Sequence, residues 1–202
     1  MSKYLGPRLQ IIRRLGELCG FTRKVPKRRR RIGKQSKMQK KPTQFYYRLI
    51  EKQKLRFYYG ISETKLISYI KIARKIKGST GQILLQQLEI RLDNIIYRLG
   101  WAPTLFTARQ LVRHGHILVD NIYVTIPSFF CVPHHVLWIN SPITKIRRFV
   151  DTMLRERSKR AISYLSTNIE NITAIVNYPV DWNEIPLNVS ELLVIEYYSN
   201  RM

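Results

Sequence analysis

The sequence predicts an α+β protein: a helical domain with an extended basic N-terminal arm, and a small inserted α+β module of two helices and a hairpin. Three observations support this class. Positive charge is concentrated at one end, apolar residues recur at helical spacing through the middle, and strand-like segments separated by turn residues follow. The predicted parts are the arm at 1–43, a mainly helical body with C-terminal strands at 44–89 and 141–202, and the module at 90–140.

The charge of the chain is strongly positive and unevenly distributed. Lys and Arg number 36 against 13 Asp and Glu, a net of +23 in 202 residues. Residues 1–60 hold 19 basic and two acidic residues, whereas residues 161–202 hold one basic and five acidic residues. Because such a surplus repels itself, a polyanionic partner is expected for the N-terminal end. The hydrophobic fraction of 45% is high enough for folded cores.

The arm is the most basic part of the chain. The run Lys27–Arg31, followed by four further lysines up to Lys41, cannot fold compactly without counter-charge. We interpret residues 1–43 as an extended arm that becomes ordered on contact with RNA. A solvated disordered tail or a nuclear-targeting signal is the alternative interpretation of the run.

Three helices are predicted in the next part of the chain. The first covers 44–59, where apolar residues share one face, and it ends at Gly60. Ser62 is placed to cap the second helix, which has an apolar stripe and a basic second half. A turn at 78–81 comes next, and the third helix follows it, with leucines and isoleucines along one face from Leu84 to Leu99, and is closed by Gly100.

Strand signals follow the helices. A short helix capped by Thr104 or Thr107 comes first, and a hairpin comes next. The pair Asp120-Asn121 between the strand-like residues 117–119 and 122–124 is typical of a tight hairpin turn. The remaining predicted elements are a strand at 136–139, a basic amphipathic segment at 143–160, and strands at Thr173–Val176 and Leu192–Tyr198.

The module carries arginines at helical spacing. Arg91 and Arg98 are seven residues apart and are expected on one side of the third helix. Arg109 and Arg113 are four apart and share a side of the next helix. Guanidinium groups presented together would bind phosphate oxygens of a folded RNA, read by shape and backbone. Solvated surface arginines are the alternative. Neighbouring donors for sugars or base edges are Gln110, His114 and His116.

Signals for other classes of protein are weak. The four histidines lack carboxylates at ligand spacing, and the segment 78–81 lacks the Lys-Ser/Thr of a phosphate-binding loop. Cys19 and Cys131 form no disulfide framework, and neither has a catalytic base nearby in sequence. We therefore expect no enzyme, metal, cofactor or small-molecule substrate. No apolar run suits a membrane span, and no secretory or transit segment is expected.

Five blocks in one order resemble the small-subunit ribosomal protein S-four family. They are KYLGPRLQIIRRLGELCGFTRK at 3–24, FYYRLIEKQKLRFYYG at 45–60, GSTGQILLQQLEIRLDNIIYRLG at 78–100, ARQLVRHGHILVDNIYVTIPS at 108–128 and IPLNVSELLVIEYYS at 185–199. The resemblance implies two domains, one of them the inserted RNA-binding module. It also implies binding to a multi-helix junction in the 5′ domain of small-subunit rRNA, early in assembly. Ribosomal protein S-five is implied as a neighbour, and the channel through which mRNA enters as a second location.

Site residues follow from the charge pattern and the resemblance together. Some bacterial members hold zinc with four N-terminal cysteines, but only Cys19 lies in that region here, so no zinc is expected. His134-His135 departs from the family pattern and leaves contacts at the hairpin end open. The residues expected to contact rRNA are Arg8, Arg13, Arg14, Arg23, Lys24, Lys27, Arg28, Arg29, Arg30, Arg31, Lys52, Lys54, Arg56, Arg91, Arg98, Arg109, Gln110, Arg113, His114 and His116.

Three functional hypotheses share this module. An integral ribosomal protein should sediment almost wholly with small subunits, whereas a free RNA chaperone or stress factor should leave a soluble pool. An RNA-modifying enzyme would need a further catalytic domain, and residues 1–85 offer none. The blocks RRLGELCGFTRK and IPSFFC are most similar to plastid-encoded members, which predicts a chloroplast ribosome. A mitochondrial or bacterial ribosome is the alternative.

Overall fold

The computed structural model describes residues 4, 6–26, 43–139, 148–150, 152–154, 163–168, 172–181, 184–185, 187 and 189–199. The chain divides into two compact units. The first unit comprises Met1–Leu84 together with Leu187–Met202, and the second comprises Leu85–Pro186. Helices and an antiparallel sheet occur together, which confirms the α+β class.

The first unit is helical. Its elements are α1 (Arg8–Leu15), α2 (Gln44–Tyr58), α3 (Glu63–Lys75), the first half of α4 (Thr80–Glu89) and α7 (Glu191–Ser199). The side chain of Thr43 accepts a hydrogen bond from the Tyr46 amide and so caps α2. The helix predicted at 44–59 and the helix predicted to follow Ser62 are both confirmed. Large side chains that are almost wholly buried in this unit are Phe21, Leu55, Tyr59, Leu66 and Ile70.

The expectation of an arm without helical structure at 1–43 is wrong for residues 8–15. These residues form α1, because Ile12 and Leu15, three positions apart, turn to one side and are buried. The basic run Lys27–Arg31 lies outside the described residues.

The strand predicted at Leu192–Tyr198 is also wrong, because this segment forms α7. Val194 and Tyr198, four residues apart, come to one side of a helix and are buried there together with Tyr197. Two contacts with α2 hold the helix: Arg48 Nε lies 2.8 Å from Glu196 Oε2, and the Ser190 amide donates to Glu51 Oε2 at 3.1 Å.

The second unit combines helices with a five-stranded antiparallel sheet. Its elements are α5 (Leu92–Leu99), α6 (Leu105–Arg113), β1 (Ile117–Val119), β2 (Ile122–Tyr123), β3 (Val136–Ile139), β4 (Leu165–Asn168) and β5 (Thr173–Val176). The strand order is β2-β1-β3-β5-β4. Residues 148–150 and 152–154 of the amphipathic segment 143–160 are helical, and the other residues of that segment lie outside the described part.

Local turn and cap signals in this unit are confirmed. Asp120 and Asn121 both have positive φ, 48° and 68°, as a two-residue hairpin turn with the twist of the strands requires. Thr104 caps α6 by accepting from the Thr107 amide. Gly115 follows α6 with a φ of 72°.

The boundary expected at residue 140 is wrong for the strands that follow it. Strand β5 pairs with β3, with Val136 opposite Ile175 and Trp138 opposite Thr173. Because both edges of β3 are therefore paired, β4 and β5 complete the sheet of the second unit and do not belong to the helical body.

The third predicted helix is broken at residues 90–91. Arg91 has extended backbone angles, φ −68° and ψ 137°, and forms a bridge with Phe130. The first amides of α5 then donate to a neighbouring loop, Leu92 to the Phe129 carbonyl and Asp93 to the Pro127 carbonyl. This satisfies groups that a helix start leaves without partners, and it ends α4 before α5 begins.

Candidate nucleic-acid interface

An ion cluster lies in the core of the second unit at the start of α5. The Asp93 carboxylate accepts hydrogen bonds from Arg91 Nε at 3.0 Å and Nη2 at 2.8 Å, and from Arg109 Nε of α6 at 2.7 Å. Arg91 and Asp93 are wholly buried and Arg109 is 9% exposed. One carboxylate thus joins the α4–α5 break to α6.

A second buried carboxylate, that of Glu89 at the end of α4, binds two residues of α5. Glu89 receives Arg98 Nη2 at 2.6 Å and Nε at 3.1 Å. Asn94 Nδ2 donates to Glu89 Oε2 at 2.5 Å and also to the Glu89 carbonyl. The end of α4 is thereby fastened to α5 across the break.

These clusters overturn part of the predicted site. Arg91, Arg98 and Arg109 were expected to face RNA phosphates, but each is buried against a carboxylate of its own chain. Because burying a guanidinium charge without a carboxylate partner is very costly, these ion pairs hold the unit together. The residues missed were Glu89, Asp93 and Asn94. The alternation of acids with arginines over 89–98 is the signal that could have indicated them.

The end of α6 presents the remaining predicted residues of the module. Gln110, Arg113 and His114 are exposed, and His116 is half-buried. The centroids of the His114 and His116 imidazole rings lie 6.0 Å apart. Burial, and then the charge of His114, lowers the pKa of His116. A neutral His116 beside an exposed guanidinium gives a group of donors and acceptors suited to phosphate and ribose.

The basic block of α2 is largely engaged within the first unit. Lys52 is 4% exposed; its Nζ lies 2.9 Å from Glu63 Oε1 and 4.7 Å from the Tyr197 ring centroid. The expectation that Lys52 faces rRNA is therefore wrong. Lys54 pairs with Glu51 at 2.5 Å, and Arg56 Nη1 lies 3.4 Å from Glu63 Oε2. Both are half-buried and reach the surface.

Glu63 is the acidic centre of this block. Partial burial raises the pKa of its carboxyl, but hydrogen bonds from Tyr198, Lys52 and Arg56 outweigh that effect, and the net pKa is lowered. The Tyr198 hydroxyl donates to Glu63 Oε1 at 2.5 Å. Glu63 therefore stays ionised and connects α2, α3 and α7.

An exposed basic surface lies along the second half of α3. Lys71 and Lys75 are one turn apart, Arg74 lies beside them, and Lys77 follows the helix; all four are exposed. None of the four forms an ion pair with any residue in the described ranges. These residues form the basic half of the second predicted helix and were not among the predicted site residues. Cations at helical spacing with no acid among them are the signal for it.

The N-terminal residues add a second exposed basic group in the first unit. Arg13 and Arg14 are exposed at the end of α1, and Arg23 and Lys24 are exposed after it. Arg8 is half-buried, with its Nη1 donating to the Phe21 carbonyl at 3.5 Å. The predicted contacts Lys27, Arg28, Arg29, Arg30 and Arg31 lie outside the described residues.

Among the residues that the structure describes, no three His, Cys, Asp or Glu side chains come together as a metal would require. Across those residues, no helix combines the length and apolar character of a membrane span. Burial, and then the charges of Asp120 and Asp93, raises the pKa of Cys131 to about 12.

Two family models together match residues 3–137, two thirds of the chain. The S4 domain matches residues 90–137, and the Ribosomal protein S4/S9 N-terminal domain matches residues 3–89. The helix pair and hairpin of residues 90–137 thus place the chain in the class of proteins that carry the S4 RNA-binding domain.

Full-length relatives identify the family. Small ribosomal subunit protein uS4c of Chlorokybus atmophyticus is 52% identical over 98% of both chains. Small ribosomal subunit protein uS4 of Thermosynechococcus vestitus is 49% identical over the whole of both chains, and uS4c of Emiliania huxleyi is 50% identical over the same extent. The chain belongs to the uS4 family of small ribosomal subunit proteins. It is accordingly a ribosomal protein and not an enzyme.

Proposed function

We propose that the chain is a primary rRNA-binding protein that clamps a multi-helix junction in the 5′ domain of small-subunit rRNA during assembly. The observation that carries this proposal is the exposed basic surface of α3, Lys71, Arg74, Lys75 and Lys77, which lacks acidic partners among the described residues. Unpaired cations in such number are a footprint for phosphate rather than for protein stability.

The second unit contributes another rRNA contact through the end of α6. Arg113 supplies a guanidinium fork for phosphate oxygens, and His116 and Gln110 supply donors for sugars or base edges. The buried cluster of Asp93 fixes α6, the helix that bears this group, to the start of α5. Arg8, Arg13, Arg14, Arg23, Lys24, Lys54 and Arg56 complete the contact set that we propose, together with the basic run at 27–31.

Filter binding of the purified protein to the 5′ domain of small-subunit rRNA tests this function. We expect binding that survives an excess of competitor tRNA. Arg113→Gln should weaken it by about 1–3 kcal/mol if its fork contacts phosphate. Thr64→Gln, at an exposed site of α3, serves as the control. Binding that tRNA abolishes would contradict the proposal and favour a non-specific RNA chaperone.

A protein contact is proposed for the first unit. Helix α7, with the sequence ELLVIEYYS, has apolar residues around most of its circumference, yet only Val194, Tyr197 and Tyr198 are buried. Leu192 is 67% exposed, and Leu193 and Ile195 are half-buried. A helix of this kind is normally covered on its second side as well. We assign that cover to ribosomal protein S-five, the neighbour that the family resemblance implies.

Two further parts of the proposal concern location. The relatives named uS4c support the chloroplast ribosome as the place of action. The family resemblance supports a position beside mRNA in the channel through which it enters the small subunit. Crosslinking from exposed Tyr46 of α2 to a photoreactive mRNA in programmed small subunits would test this position, and a product with rRNA alone would contradict it.

A further inference from the structure

The N-terminal end of α2 carries two exposed tyrosines side by side. Tyr46 is 49% exposed and Tyr47 is 51% exposed. Their rings meet edge to face, with centroids 6.2 Å apart and an interplanar angle of 72°. Among the residues that the structure describes, no other ring contacts either tyrosine, and neither hydroxyl has a hydrogen-bond partner. Two aromatic side chains are thus presented together with open surface.

The packing of α2 turns both tyrosines away from α7. Phe45 contacts the Tyr197 ring, with centroids 5.8 Å apart, and Arg48 Nε lies 2.8 Å from Glu196 Oε2. Phe45 and Arg48 therefore mark the side of α2 that faces α7. Because a helix turns about 100° per residue, the two positions between them point to other sides. Helix α7 thus leaves both tyrosine rings open.

The unit that bears the tyrosines is strongly positive as a whole. Over all residues of Met1–Leu84 and Leu187–Met202, Lys and Arg number 25 against five Glu and no Asp. Three of the five acids lie on α2 or against it, and each has a cation of the chain as its partner: Glu51 with Lys54, Glu63 with Lys52, and Glu196 with Arg48. Because these acids are already paired, the surroundings of the tyrosines attract a polyanion and not a basic partner.

Exposed aromatic rings in positively charged surroundings are typical of proteins that bind single-stranded RNA. The rings stack on unpaired bases and the cations follow the backbone, whereas bases within a duplex are already stacked and closed to such contact. In the sequence, residues 27–41 hold nine Lys or Arg and no acid, and a single residue separates them from Thr43, the N-cap of α2. Cations for the backbone and rings for the bases are therefore neighbours in the chain.

A platform of two rings accepts any base, because every base has an aromatic face. It therefore suits a strand whose sequence changes rather than one fixed nucleotide, and in the proposed function that strand is mRNA. We propose that Tyr46 and Tyr47 form a stacking platform for unpaired bases of mRNA. The inference rests on the proposed function, which supplies the position beside mRNA, and it adds the side chains that hold the strand.

Binding of a single-stranded oligonucleotide to the purified full-length chain tests the stacking. The probe is a short fluorescein-labelled oligouridine, and its anisotropy is measured over a series of salt concentrations. Tyr46→Leu/Tyr47→Leu should bind the probe about tenfold more weakly at every salt concentration, with an unchanged salt slope, because it removes rings and not charges. Tyr46→Phe/Tyr47→Phe keeps the rings and should bind within about twofold of wild type.

Two other RNAs serve as controls for the leucine variant. An RNA duplex of the same length should bind the variant and wild type equally, because its bases are closed to stacking. The 5′ domain of small-subunit rRNA should also bind them equally, because the platform is assigned to mRNA. A leucine variant that binds oligouridine like wild type, or that loses binding to the duplex or the 5′ domain to the same extent, would overturn the inference.

Photo-crosslinking in small subunits tests the partner. The full-length chain carries p-benzoylphenylalanine in place of Tyr47, and small subunits that contain it are programmed with labelled mRNA and irradiated. Ser62 is the control position: it is exposed, it belongs to the same unit, and it lies beyond the opposite end of α2, about 20 Å away along the helix. We expect a product with mRNA from position 47, about tenfold above the yield from position 62. Equal yields, or a product from position 47 with rRNA or a protein but not with mRNA, would contradict the assignment.

The failure of this inference is distinguishable from failure of the proposed function. If the chain binds the 5′ domain of rRNA and crosslinks to photoreactive mRNA, but the leucine variant binds oligouridine like wild type, only the stacking platform is lost. If photoreactive mRNA reaches no residue of the chain in small subunits, the proposed position beside mRNA and this inference both fail.

Discussion

Single carboxylates determine how the second unit arranges its arginines. Asp93 and Glu89 each neutralise guanidinium groups that would be prohibitively costly to bury alone. This explains why helical spacing alone wrongly predicted that Arg91, Arg98 and Arg109 face RNA. A sequence shows that an arginine exists at a helical position, but a partner brought by the fold decides whether it faces solvent. Arg109 illustrates this point, because its acid lies sixteen residues away in the chain.

Asp93→Asn should therefore destabilise the protein strongly. It leaves Arg91 and Arg109 buried with no carboxylate between them, which should cost about 3–5 kcal/mol. Urea unfolding followed by circular dichroism measures the loss. Asp120→Asn is the control: its side chain is exposed, and an amide oxygen can still accept from the Val136 amide, so a change below about 0.5 kcal/mol is expected. Equal losses in the two variants would contradict the role given to Asp93.

Glu63 makes the stability of the first unit depend on pH. Its pKa is lower in the folded chain than the usual 4.5, so its contribution to stability is complete above that value and disappears as pH falls through the folded pKa. We expect Glu63→Gln to cost about 1 kcal/mol at pH 7, a value limited by solvent screening of a partly exposed group. At about pH 3 the cost should shrink, because the wild-type carboxyl is then losing its charge.

Urea midpoints of wild type and variant at the two pH values measure this difference. Glu17→Gln serves as the control, since Glu17 is exposed and forms no ion pair among the described residues. It should shift neither midpoint. A cost of Glu63→Gln that is larger at low pH would have the wrong sign for a lowered pKa.

At the scale of elements, local chemistry was predictable and long-range packing was not. The hairpin followed from Asp120-Asn121, whose backbone preference acts within the turn itself. Strand Thr173–Val176 followed from its β-branched and apolar composition. Helix α7 was missed, because its sequence suits either a strand or a buried helix and only contact with α2 decides between them.

The hairpin turn offers a prediction at this scale. Asn121 has a φ of 68°, which glycine adopts freely and alanine adopts only with strain. Asn121→Ala should therefore cost about 1 kcal/mol, whereas Asn121→Gly should be neutral or slightly stabilising. The free energy of unfolding is the measurement. If alanine were tolerated as well as glycine, the turn would not hold its left-handed conformation.

At the scale of the whole molecule, surfaces differ strongly in their content of positive charge. The exposed cations of α1 and α3 lie in the first unit, while the sheet segments of the second unit carry no Lys or Arg at all. Composition alone predicted a polyanionic partner. Composition could not show which cations form ion pairs within the chain, as Lys52 does with Glu63, because the acids that neutralise them lie elsewhere in the chain.

This division predicts how salt acts on rRNA binding. Each phosphate contact adds about 0.7 to 0.9 to the slope of log affinity against log salt. Lys71→Gln/Lys75→Gln should thus reduce the slope by about 1.4 to 1.8. The control Ser166→Glu/Asn168→Glu also removes two units from the net charge of +23, but it does so on exposed positions of β4. It should leave the slope almost unchanged, because contacts and not overall charge release counterions. Equal slopes for the two variants would mean that the positive charge acts as a diffuse field, and α3 would lose its place in the interface.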